Sequence, residues 1–175
     1  KQVDGLIFVT SGNKPSSIQD LIAQNLPIVV VDRDMQTAEV DVVLTDNRQC
    51  GYQATQHLIQ LGHRRIGCIM GPSNVTPSAM RVTGYHDAMR EAQLKVDEAW
   101  RVRGDFHPDS GHAAALELLR QPEPVSAIFV CNDMMAIGAL RAAYELGLRV
   151  PEQLSIVGVD NIDLASYTIP PLTTI

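Results

Sequence analysis

The chain has 175 residues, a mass of 19.1 kDa, a formal net charge of -6 and a pI near 5.2. That acidic balance lacks the basic footprint of an autonomous nucleic-acid binder. No apolar run is long enough to span a bilayer and no signal-peptide pattern opens the chain. Aliphatic residues dominate and aromatics make up only 5%, which suits buried parallel strands covered by helices.

In chain order, Gly5 leads into a short apolar run at residues 6–9, and Pro27 into another at 28–31. Between them Ile18, Leu21 and Ile22 stand at helical spacing over residues 16–24, with serines available as caps. A third strand candidate, residues 40–44, ends at Thr45-Asp46. From there the pattern becomes strongly periodic. Asp46 or Asn47 can cap a helix with Ala54, Leu58 and Ile59 on its apolar face, and Gly62 sits where a C-terminal glycine belongs.

A strand at 66–70 and a loop at 71–77 follow. Ser78 then starts a helix whose inner face uses Met80, Gly84, Tyr85, Ala88 and Ala92. Next come a strand at 100–102, a helix at 110–119, a strand at 127–130, a helix at 134–146 closed by Gly147, and a strand at 154–159. This alternation predicts an α/β fold with right-handed crossovers and mostly parallel sheets. A boundary near Thr45-Asp46 separates a partial N-terminal lobe, 1–45, from a C-terminal lobe, 46–175, and both ends look like cuts through a larger protein. Cys68 and Cys131 lie in strand-like runs and Cys50 in a helix, so buried thiols in a reducing cytoplasm are expected.

Polar residues gather just past the strands: Thr10-Ser11-Gly12-Asn13, Asp32-Arg33-Asp34, Gly71-Pro72-Ser73-Asn74, Asp105-Phe106, Asn132-Asp133 and Asp160-Asn161. In a parallel sheet these emerge on one edge, where open α/β sheets bind ligands. Converging carboxylates and amides can satisfy several hydroxyls at once, and the ring of Phe106 adds an apolar plate for a sugar face or a heterocycle. Capping of the next helix is the competing role, and it is favoured for Asp46, Asp109 and Asp133. It is weaker for Asn132, one position earlier, and for Asp160, which no periodic helix follows.

Arg81 stands out because the first turn of a helix disfavours a cation, and a residue that breaks a local rule often answers to a site. An exposed arginine is as good a reading from the residue alone. No catalytic constellation, phosphate-binding glycine motif or zinc spacing is present. His107 and His112 therefore read as a solvated helix start, and no metal or cofactor is expected.

The segments Cys131-Asn132-Asp133-Met134-Met135-Ala136-Ile137-Gly138, Val157-Gly158-Val159-Asp160-Asn161 and Pro170-Pro171-Leu172-Thr173-Thr174-Ile175, with Arg81-Val82-Thr83-Gly84-Tyr85, resemble the effector-binding domain of the lactose-repressor (LacI/GalR) family of bacterial transcriptional regulators. The resemblance covers nearly the whole chain. It implies a periplasmic-binding-protein-like fold of two lobes that close on a small molecule and pair as a homodimer, with a DNA-binding headpiece that this chain lacks. It further implies ligand contacts from Arg81, Asp160, Asn132 and Phe106, and less securely from Ser11 and Asn13 in the first lobe.

Two positions depart from the family: Val159 replaces an aromatic residue common before the aspartate, and Asn161 stands where many members carry a second aspartate. The runs Thr76-Pro77-Ser78-Ala79-Met80-Arg81 and Asp163-Leu164-Ala165-Ser166-Tyr167 are similar to ribose repressors. Residues 104–111 are similar to the purine repressor. A pentose or related sugar is the favoured effector, and a purine the other. A periplasmic sugar-binding protein serving a transporter shares the fold and is the alternative function.

Overall fold

The computed structural model describes residues 3–9, 21–22, 26–32 and 40–175. Contacts divide the chain into two compact units, Lys1–Asp46 and Asn47–Ile175. In the first, β1 (Leu6–Val9), β2 (Ile28–Val31) and β3 (Asp41–Val43) form a parallel sheet in that order. Leu6 lies opposite Ile28, and Val31 opposite Val43. Its buried centre is Ile28, Val30 and Val40, with Leu6, Phe8, Leu21, Ile22 and Val42 packed against it.

The second unit holds α1 (Asn47–Gln60), β4 (Ile66–Met70), α2 (Thr76–Glu91), β5 (Arg101–Arg103), α3 (Pro108–Leu119), β6 (Ala127–Val130), α4 (Asp133–Glu145), β7 (Ser155–Gly158) and β8 (Thr173–Thr174). The five strands are parallel in the order β5-β4-β6-β7-β8. Strands β6 and β7 are buried at every position, so both faces of the sheet are covered. On one face Tyr85 of α2 stacks on Phe129 and donates its hydroxyl to the Ile66 carbonyl at 2.8 Å. On the other, Leu118 of α3 and Val125 crowd the space that a side chain at Gly67 would need.

Local chemistry moved several boundaries. The helix expected from Ser78 begins at Thr76, because Pro77 in a first turn forfeits no intrahelical hydrogen bond. Arg81 therefore stands in the second turn, where the dipole argument fades. Met80, expected on the inner face, is 39% exposed. Residues 98–100 form a 3-10 turn before β5 because the Asp97 carboxylate caps it, accepting from the Ala99 amide at 3.1 Å. Residues Thr173–Thr174, read only as a proline-pinned segment, add the edge strand β8. Cys68 and Cys131 are buried, while Cys50 is half-buried.

Candidate ligand-binding site

Helices α1 and α2 cross backbone to backbone. A Cβ on Gly51 would lie 1.9 Å from the Arg81 carbonyl oxygen, and one on Gly84 would lie 2.0 Å from that of Arg48. Only glycine permits this approach. It brings the α2 backbone beside the start of α1, and Arg81 Nε donates to Asn47 Oδ1 at 2.8 Å.

The rest of the Arg81 guanidinium spans two more elements. Nη1 donates to the Cys131 carbonyl at the end of β6 at 2.6 Å and pairs with Asp160 Oδ1 beyond β7 at 3.0 Å. Arg81 is only 9% exposed, so its charge is held by geometry and pairing together. Asp160 is exposed and presents the pair to solvent.

Asn132 caps α4: its Oδ1 accepts from the Met135 amide at 3.0 Å, and its Nδ2 donates to the Phe106 carbonyl at 3.2 Å. Capping therefore belongs to Asn132 and not to Asp133, the reverse of the sequence expectation, because the side chain one residue ahead of the first helical turn is the one that reaches back to it. Asp109 likewise lies inside α3 and does not cap it; His107 occupies the cap position, with no side-chain cap bond.

Phe106 sits at φ +74, a conformation uncommon for a residue with a side chain. It follows Asp105, whose carboxylate accepts from the His107 amide at 2.9 Å. A Cβ on Gly71 would fall 2.3 Å from the Phe106 ring. The half-buried ring thus lies directly on the Gly71 backbone.

Arg81, Asp160, Asn132 and Phe106 thus form one connected group at the carboxyl-terminal edge of β4, β6 and β7. Ser11 and Asn13 lie outside the described residues. Sequence reasoning missed the residues that hold this group: Asn47, the Cys131 carbonyl, Asp133 and Thr174. Burial raises the Asp133 carboxyl above its ordinary pKa, opposed by donors from Thr174 and Ile162. Burial also pushes the Cys68 thiol well up. Two histidines pair away from this group: His112 Nε2 meets Glu145 Oε2 at 2.7 Å, and His63 bridges Ser126 Oγ and Ser155 Oγ at 2.9 Å each. Among the described residues no His, Cys, Asp and Glu cluster could hold a metal ion, and no helix is long and apolar enough to cross a membrane.

Residues 55–175 match the periplasmic binding protein-like domain family. The HTH-type transcriptional repressor PurR of Escherichia coli O139:H28 is 43% identical over 178 residues, an alignment covering 100% of this chain and 52% of the repressor. The chain thus spans about half the length of the curated relatives it matches. Among solved structures, a sugar-binding LacI-family regulator of Escherichia coli complexed with phosphate aligns with a TM-score of 0.87 at 32% identity, covering 98% of this chain and 62% of that one. The transcriptional regulator CelR in its cellobiose complex aligns with a TM-score of 0.88 at 38% identity, covering 98% and 53%. The chain belongs to the periplasmic binding protein-like domain family, in the form that LacI/GalR-type regulators carry as their effector-binding domain.

Proposed function

We propose that this chain is the ligand-sensing core of a cytoplasmic transcriptional regulator, and that its effector docks at the edge formed by Arg81, Asp160, Asn132 and Phe106. The observation that carries the reading is the Arg81–Asp160 pair at 3.0 Å, built from two elements far apart in sequence and presented at the strand ends. The guanidinium and carboxylate neutralise each other, so the pair suits a neutral ligand rich in hydroxyls. Asn132 has a second amide N–H to offer such a ligand, and Phe106 an apolar ring. A pentose or related sugar fits this chemistry, and the sugar-binding and cellobiose-bound neighbours support it. The half-buried Phe106 ring, which can also stack on a flat heterocycle, favours a purine as the second reading.

Effector binding then shifts the population between arrangements of the full-length regulator with different affinity for operator DNA, through a DNA-binding headpiece carried elsewhere in that protein. The repressor and LacI-family relatives favour this role over a transport receptor. Exposed Leu164, Tyr167 and Ile169 supply apolar surface for the homodimer that the role implies; a full-length protein that sediments as a monomer would contradict it.

Titration calorimetry of the full-length protein with D-ribose and with hypoxanthine tests the reading. One of the two binds, and Arg81→Ala and Asp160→Ala each abolish that binding while leaving the fold intact. Silence with both ligands rejects the pentose and purine assignments. Unchanged affinity in both variants rejects the site.

A further inference from the structure

Asp133 is fully buried, and neither the helix cap nor the ligand edge uses it. Burying a carboxylate is unfavourable unless donors surround it. Those donors all come from one place. Asp133 Oδ2 accepts from the Ile162 amide at 3.0 Å, and Oδ1 accepts from the Thr174 hydroxyl at 2.6 Å. The Asp133 amide donates to the Val159 carbonyl at 2.8 Å.

Beneath this set, a Cβ on Gly158 would fall 2.2 Å from Asp133 Oδ1, so only a glycine lets β7 lie against the carboxylate. Asp133 therefore grips the chain at residues 158, 159 and 162, on both sides of Asp160.

The segment it grips needs holding. Asp160 has φ +118 and Asn161 φ +51, two successive side-chain-bearing residues in a region that L-residues disfavour, and such conformations persist only where their surroundings over-determine them. Thr174 reinforces the same turn, since its hydroxyl oxygen also accepts from the Asn161 amide at 3.3 Å. A second tie joins the Asp160 amide to the Ile175 carbonyl at 3.0 Å. The buried carboxylate, β8 and the strained turn form one unit, with Asp160 at its tip facing Arg81.

We infer that Asp133 is the positioning residue of this site: its carboxylate holds the turn at residues 158–162 and so keeps Asp160 within ion-pair reach of Arg81. The consequence for effector affinity rests on the function proposed above; the consequence for the turn does not. Asp133 touches no ligand in this scheme. It acts through Asp160, so the cap and first residue of α4, Asn132 and Asp133, supply one proposed ligand contact and the support for another.

The test uses full-length Asp133→Asn, which keeps the shape of the side chain but turns one acceptor into a donor facing the turn amides and hydroxyl. A crystal structure of the variant is expected to show Asp160 Oδ1 withdrawn beyond the ~4 Å limit of an ion pair with Arg81. An unchanged Arg81–Asp160 pair in a folded variant overturns the inference, whatever the ligand proves to be. In calorimetry with D-ribose or hypoxanthine, whichever the wild type binds, Asp133→Asn weakens affinity by about tenfold or more, because the carboxylate and Asp160 act as one unit. Unchanged affinity in a folded Asp133→Asn variant overturns this consequence. If Asp133→Asn does not fold, Thr174→Val removes one donor and keeps the charge; the same displacement of Asp160, smaller in extent, is then expected, and an unmoved turn refutes the inference.

Discussion

Strands β1 and β6 have nearly the same sequence, Leu-Ile-Phe-Val and Ala-Ile-Phe-Val, and opposite surroundings. Every residue of β6 is buried, because Phe129 meets Tyr85 on one face while α4 packs on the other. In β1, by contrast, Ile7 is 75% and Val9 78% exposed, while Leu6 and Phe8 pack inward. An apolar run of four therefore specifies a strand without specifying how many of its faces are covered. That depends on the helices each unit brings to its sheet, and the second unit brings pairs to both sides.

The sharpest way to probe that contrast is to remove the same side chain from both strands. Phe129→Ala is expected to cost about 3–5 kcal/mol, the range for a fully buried aromatic, whereas half-buried Phe8 costs about 1 kcal/mol. Urea unfolding followed by the fluorescence of Trp100, the single tryptophan and a member of the second unit, should show a large drop in midpoint for the first variant. A comparable drop for Phe8→Ala, followed by far-UV circular dichroism so that the first unit is also read, would show that the two units do not differ as their burial implies.

Next in size is Gly51→Ala. Its new methyl has no room beside the Arg81 carbonyl, so the helices must separate at a cost of about 1–3 kcal/mol. The same Trp100 transition reports it, and an unmoved midpoint would mean that the α1–α2 crossing tolerates a wider gap.

The smallest effect is a dependence on pH. Burial lowers the His63 pKa below its ordinary value, so the unfolded chain binds more protons there than the folded one. The sign follows: this contribution is fully present above the ordinary histidine value of about 6.5 and is lost as pH falls through it toward the lowered folded value. His63→Gln should flatten that slope in midpoint against pH. Some slope remains, because His86 is lowered in the same direction, chiefly by burial. A slope identical to the wild type would show that the Ser126–His63–Ser155 bridge exchanges for a protonated form without loss.

Much of the second unit was legible because its signals are local. Helix periodicity, the prolines near helix starts and Gly62 and Gly147, at φ +95 and +69, all act within a few residues. The misplaced features are those in which one side chain competes with the pattern. Asp97 turned the expected start of a strand into a 3-10 turn, and Asn132 took the cap that the pattern offered to Asp133. The edge strand β8 is too short to carry any periodicity and is defined by its partners Val157 and Gly158.

The site divides the same way. Placing polar residues at strand ends requires only the period of the chain, so Asn132, Phe106 and Asp160 could be assigned to this edge in advance; Arg81, within a helix, was singled out by the family resemblance, since the residue alone reads equally well as an exposed arginine. Ser11 and Asn13, which the same resemblance implied less securely, fall outside the described residues. What each partner does could not be named. Arg81 meets groups on Asn47, Cys131 and Asp160, each more than thirty positions away, and Asp133 meets Thr174 across forty-one. The sequence by itself determined the alternation of strands and helices, and hence which residues stand at the sheet edge, because backbone geometry repeats locally. Only the tertiary structure decided which of those residues touch and which buried groups hold them, because such contacts follow from strand order and from how closely the glycines let the helices approach.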